Sequence, residues 1–127
     1  MKYIVDTHIW IAWLNGTLPN NSLDSLLRRG LVMLHPQVMG ALRAGSFANR
    51  NETLRAFDAL RSLLVPFSFT EAYEDIERFK MHEIKRVGFS DMAQCSSAQR
   101  LGLGIWTRDA NMLKVAGRMR LPVLRLK

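Results

Sequence analysis

The chain has 127 residues, 48% of them hydrophobic, and its eighteen Lys and Arg against eleven Asp and Glu give a formal charge of +7. This length suits one domain spanning residues 1–127; two independent cores and intrinsic disorder are both excluded. The basic excess favours a polyanionic partner, because neutralised phosphates release counterions, although solubility is a simpler use of the same charge. Cys95 is the sole cysteine, so there is no intrachain disulfide. Its small and apolar neighbours suit a buried structural thiol. No stretch approaches the ~20 apolar residues of a membrane span, and the opening Met1-Lys2-Tyr3-Ile4-Val5-Asp6 is too short an apolar run for a signal peptide. A soluble, cytoplasmic protein is expected.

Tyr3 to Val5 reads as a short buried strand, followed by a helix from Thr7 to Leu14 and a turn-rich loop from Asn15 to Asn21. Ser22 is placed to cap a helix through Arg29, which Gly30 stops. Leu31 to Leu34 is a second strand candidate, and Pro36 sits in the first turn of a helix to about Phe47. Leu54, Phe57, Leu60 and Leu64 recur at helical spacing, predicting a helix from about Glu52 to Leu64 and then a strand from Val65 to Phe67. Ser68, with Glu71 at capping-box spacing, or Thr70 opens a helix predicted to run through Arg86. Beyond Gly88, Ser90 is expected to cap a helix from Asp91 to Leu101; a strand from Gly104 to Thr107, a helix from Asp109 to Ala116 and a strand from Val123 to Leu126 complete the chain. Strands alternating with helices predict an α/β fold with a mainly parallel sheet covered on both faces.

Three short stretches place single aspartates where such a fold gathers them: Tyr3-Ile4-Val5-Asp6-Thr7, Gly88-Phe89-Ser90-Asp91 and Ile105-Trp106-Thr107-Arg108-Asp109. Parallel α/β sheets bind ligands at the carboxyl ends of their strands. Carboxylates converging there repel one another unless a cation lies between them, so the pattern points to a divalent-metal site. Asp91 and Asp109 taken alone are ordinary acids of a helix start; their order together with Asp6 is what argues for a cluster. Asp6 and Asp91 are the preferred metal ligands, with Asp109 acting directly or through water. Thr7 and Thr107 either orient those groups as hydroxyls or serve as strand-end and capping hydrogen bonds.

Asp6-Thr7, His35-Pro36-x3-Gly40-x-Leu42-x2-Gly45, Gly88-Phe89-Ser90-Asp91 and Trp106-Thr107-Arg108-Asp109 follow one another in that order. Together they resemble a PIN-domain ribonuclease of the VapC toxin kind, across essentially the whole chain. The resemblance implies a PIN-like three-layer α/β/α sandwich and Mg2+- or Mn2+-dependent endonucleolytic cleavage of RNA. It also implies a homodimer and inhibition by a small cognate VapB-like antitoxin. Such proteins carry four acids: Asp6, Asp91 and Asp109 match the first, third and fourth. Ala41 stands at the second, between Gly40 and Leu42, where a glutamate is usual. Two readings fit Ala41: a member whose activity is lost or altered, or a deliberate substitution that permits expression of a toxic nuclease. Either reading implies reduced or no activity, and a catalytically silent RNA- or antitoxin-binding protein is the alternative.

Other residues carry weaker signals. His8, His35 and His82 lack zinc spacing; His35 before Pro36 reads as structural, and His8 is positioned to lie near the acids. Trp10 and Trp13 suit core or dimer packing. Arg43 and Arg108 are candidates for phosphate contacts, plain surface charge being the competing use. A haloacid-dehalogenase-like phosphatase would want a second Asp two residues after Asp6, where the chain has His8. A receiver-like phospho-acceptor would want paired acids after the first strand and a late lysine near the site, and neither is evident.

Overall fold

The computed structural model describes residues 1–19 and 22–125. Its elements are strand β1 (Tyr3–Val5), helices α1 (Thr7–Leu14) and α2 (Ser22–Arg28), strand β2 (Val32–Met33), helices α3 (Pro36–Ala44), α4 (Arg50–Ala59), α5 (Phe69–Arg78) and α6 (Phe89–Leu101), strand β3 (Gly104–Trp106) and helix α7 (Ala110–Arg118). The sheet runs β2-β1-β3, wholly parallel, with Tyr3 opposite Val32 on one side and Gly104 on the other. Parallel neighbours require crossovers, and the intervening helices supply them.

Successive side chains of a strand point to opposite faces, and the two cores divide accordingly. Val5 and Trp106 join Ile9, Trp10, Leu23, Leu42 and Phe57 on one face. Ile4 and Ile105 join Cys95, Met112 and Val115 on the other. The expected three-layer α/β/α sandwich with a parallel sheet is thus the observed architecture. Trp10 is fully buried and its indole donates to the Val5 carbonyl at 3.2 Å, while Trp13 donates to Asp24 at 3.0 Å. Cys95 is buried, which pushes its thiol far above the ordinary range.

Several predicted boundaries moved, two of the helix ends for a tertiary reason. The helix expected over 52–64 instead spans Arg50–Ala59, followed by a 3₁₀ turn at Arg61–Leu63. The turn delivers Leu64 to the sheet edge: Leu34 N–H donates to the Leu63 carbonyl at 2.8 Å and Val65 N–H to the Leu34 carbonyl at 2.9 Å. The predicted strand over 65–67 is therefore a single bridge, centred on Leu64. The helix expected to reach Arg86 ends at Arg78. Lys80 adopts a left-handed conformation (φ 52°), Arg118 donates to its carbonyl at 2.7 Å, and Met81 turns into the core. Ser68 rather than Thr70 caps α5, accepting from Glu71 N–H at 3.2 Å. Helix α3 stops at Ala44 with Gly45 as its cap, short of Phe47. The last predicted strand reduces to a bridge of Val123 with Ile105, extended by Leu124 N–H to the Ile105 carbonyl at 2.8 Å. Asn20, Asn21 and Leu126, which bound two of the predicted segments, lie outside the described residues.

One buried ion pair ties α5 to α6. Asp75 is fully buried and receives Arg100 at 2.8 and 3.0 Å and Ser96 at 2.6 Å. Burial would raise this carboxyl, but hydrogen bonds from Arg100 and Ser96 outweigh it and hold the group below its ordinary value. At Gly104 a Cβ would stand 2.6 Å from the Tyr3 ring, so only glycine lets β3 lie this close to β1.

His35 is structural, as expected. It is fully buried; its Nδ1 accepts Gln37 N–H at 3.0 Å to cap α3, which leaves the ring proton on Nε2, 3.0 Å from Ser97 Oγ. Burial lowers its pKa from 6.5 to about 4. The unfolded chain therefore binds a proton that the folded chain refuses. Stability from this group is complete above pH ~6.5 and lost as pH falls toward ~4, on the order of 3 kcal/mol in all. Denaturant titrations in EDTA should show the parent losing stability relative to His35→Asn, which keeps a capping side chain, as pH falls through that window.

Candidate metal centre

The site forms where β1 and β3 end and three helices begin. Asp6 follows β1 directly and caps α1; it is 3% exposed. Its Oδ1 accepts Thr7 N–H at 2.8 Å, and its Oδ2 accepts the Thr107 hydroxyl at 2.7 Å. Asp109 caps α7, its Oδ1 accepting Asn111 N–H at 2.7 Å and Met112 N–H at 3.3 Å. Asp91 lies in the first turn of α6, whose cap is Gly88 rather than the predicted Ser90. Each carboxylate thus sits at a helix N-terminus, where free N–H groups and the helix dipole favour negative charge.

Thr107 joins two of the three. It donates to Asp6 and accepts Asp109 N–H at 3.0 Å, so its hydroxyl proton is committed to the carboxylate. Thr7, by contrast, serves Asp6 through its backbone N–H.

The acids feel one another. Asp91 is pushed up to about 6, first by burial and then by the charges of Asp6 and Asp109, with partial relief from Gly88 N–H and His8. His8 Nε2 stands 4.0 Å from Asp109 Oδ2. No three Asp, Glu, His or Cys side chains are clustered tightly enough among the described residues to form a ready-made metal cage. The donors are nonetheless of the right kind: carboxylate oxygens held by N–H groups, which suit hard divalent cations. Gln94, missed in the sequence, adjoins Asp6. It is fully buried and points Nε2 toward Asp6 Oδ1 and Ser90 Oγ, both at 3.4 Å. Turning the amide over would set oxygen against carboxylate, so Oε1 is the atom left with no hydrogen-bond partner among the described residues. Its place one turn after Asp91, among small residues of α6, is the only trace of this in the sequence.

The remaining candidates are more dispersed. Ala41 is exposed on α3, which packs against α1 and α6. Arg43 reaches across to Asp58 at 3.1 Å on α4. Arg108 is exposed between Thr107 and Asp109 and makes no ion pair among the described residues.

No protein-family model and no curated protein sequence matches the chain. Solved structures do. The chain is similar to VapBC2 from Rickettsia felis bound to a DNA fragment from their promoter, with TM-score 0.74, 18% identity and 100% of both chains covered. It is similar to FitAB bound to an IR36 DNA fragment, with TM-score 0.68, 17% identity and coverage of 98% of this chain and 97% of that one. FitAcB from Neisseria gonorrhoeae gives TM-score 0.67, 17% identity and coverage of 97% and 96%. These likenesses establish the fold, which is the PIN-type architecture that the ordered motifs implied.

Asp91 has a measurable signature. Its raised value means that the folded chain holds a proton the unfolded chain has released between pH ~4 and ~6, so the group penalises the metal-free fold increasingly as pH rises through that window. In EDTA, Asp91→Asn should therefore stabilise the protein at pH 7.5, on the order of 2 kcal/mol, and leave it unchanged near pH 4. His35 acts with the opposite sign over the same range, so the variant should also steepen the acid-side loss. A stability difference independent of pH would remove the charge explanation.

Proposed function

We propose that the chain is the toxin component of a toxin–antitoxin pair, built as a divalent-metal-dependent endoribonuclease and weakened by Ala41. The observation that carries this reading is the meeting of Asp6, Asp91 and Asp109 at three helix starts on the carboxyl side of a parallel sheet, close enough for two to raise the third. The likeness to VapBC2 and FitAB supports the toxin role and a cognate VapB-like antitoxin as partner. The +7 charge supports RNA as substrate. A homodimer and a cytoplasmic setting complete the proposal. Among the described residues no helix is long and apolar enough to cross a membrane.

In this reading Asp6, Asp91 and Asp109 hold Mg2+ or Mn2+, and Gln94 Nε2 donates to the Asp6 carboxylate. When bound, the ion would lower the pKa of water and polarise a phosphate. The protein's own part is positional. Thr107 locks the Asp6 carboxylate, the Thr7, Asn111 and Met112 N–H groups aim Asp6 and Asp109, and burial shields Asp6 from bulk water. The exposed Arg108 would meet a phosphate of the RNA.

Ala41 leaves one ligand position without a carboxylate, and this favours a second reading: a silent protein that binds RNA or antitoxin without cutting. Restoring the acid separates the two. Ala41→Glu, purified free of antitoxin, should cleave RNA with Mn2+ and not with EDTA, while the parent chain cuts weakly or not at all. It should also bind Mn2+ more tightly and melt lower without metal, because it adds a charge to a repulsive cluster. Absence of cleavage by both forms across a broad RNA panel would favour the silent binder. Unchanged melting and metal affinity would mean that Ala41 does not face the acids.

A further inference from the structure

Beside the acids lies a concave feature of which the proposed chemistry uses only Thr107 and Arg108. It is a cleft of about 400 Å3, within the range of small-ligand sites, roughly 300–1,000 Å3. Trp106, Leu113 and Leu124 supply apolar walls, and the exposed Arg108 and Arg125 line it as well. Neither arginine is ion-paired among the described residues. The cleft opens at the carboxyl end of β3 and of the parallel segment paired beside it through Val123. Thr107 belongs to both places: its residue lines the cleft, and its hydroxyl binds Asp6. Cleft and acid cluster therefore share a wall.

We infer that this cleft holds one unpaired nucleotide of the RNA, adjoining the phosphodiester presented to the acids. The base lies against the apolar walls and the flanking phosphate meets Arg108 and Arg125. The inference rests on the nuclease reading for the direction of the strand, and on the cleft's own chemistry for what it binds. An apolar floor edged by two guanidiniums that are unpaired among the described residues matches a flat ring carrying an anionic tail. A purely electrostatic surface would need no apolar walls. A purely apolar partner would leave both arginines without counter-charges.

Binding can be measured without cleavage. A fluorescein-labelled single-stranded RNA of mixed sequence, titrated with the chain in EDTA, gives the affinity by anisotropy. Leu113→Trp, which fills the cleft from a half-exposed position, should weaken binding at least tenfold, and Arg125→Gln threefold or more. Arg55→Gln, on exposed α4, should change it less than twofold. An abasic ribose-phosphate oligomer of the same length should lose less than twofold on Leu113→Trp, because it has no base to exclude. Arg125→Gln alters only an exposed side chain, so it remains informative should Leu113→Trp fold poorly. RNA affinity within twofold of the parent in both variants, equal losses on the abasic oligomer, or no RNA binding by the parent would each overturn the inference.

The two readings fail separately. If Ala41→Glu cuts RNA and adding Leu113→Trp changes neither KM nor the bonds cut, the cleft is not a nucleotide site and the nuclease stands. If Ala41→Glu never cuts but Leu113→Trp selectively weakens RNA, the cleft stands and the nuclease falls.

Discussion

The Thr107 hydroxyl, donating to Asp6 and accepting from Asp109 N–H, is the joint on which the site depends. A hydroxyl has one proton; once it is given to the buried carboxylate, its lone pairs are what remain for the Asp109 backbone. That choice sets the start of α7 and fixes where Asp109 points. Asp6 in turn is held by the N–H of the helix it opens, so β1, β3, α1 and α7 meet through one side chain. Core packing brings these ends together: Ile4 and Ile105 sit on one side of the sheet while Val5 and Trp106 sit on the other, which leaves no freedom in strand register.

The acids are concentrated in a way that works against the metal-free fold. In a chain of charge +7, three carboxylates are gathered into a half-buried corner rather than spread among the basic groups. Helix N-termini soften the cost for each acid, yet Asp91 is still driven upward by burial and by its neighbours. The contrast with Asp75 is instructive. That carboxylate is more deeply buried, yet Arg100 and Ser96 hold it ionised. One acid is neutralised within the protein and serves architecture. The other three carry negative charge that no arginine or lysine answers among the described residues, the arrangement expected of groups kept for a ligand.

Much of this was legible beforehand, and the misses share a cause. The β1–Asp6–α1 start, the Pro36 helix and the β3 strand all rest on signals confined to a few neighbouring residues, and each is present. The helix ends near residues 59 and 78 moved because distant partners intervened: Leu34 claimed the backbone around Leu64, and Arg118 with the core claimed Lys80 and Met81. Gln94 was passed over because a glutamine in a helix has no chemistry to declare until its burial beside Asp6 is known. Arg43 read from sequence as a phosphate contact or plain surface charge; that Asp58 faces it from the next helix is a fact of packing.

The sequence by itself determined the alternation of strand and helix, the two-sided core and the identity of the three acids, because apolar periodicity, caps and acids after strands are local patterns written in consecutive residues. Only the tertiary structure decided which oxygen each acid presents, that Thr107 rather than Thr7 supplies the hydroxyl bridge, and that Arg125 returns beside Trp106 to line a cleft with Arg108. Those are distances between segments far apart in the chain, set by how two faces of one sheet fill with side chains, and no local pattern encodes them.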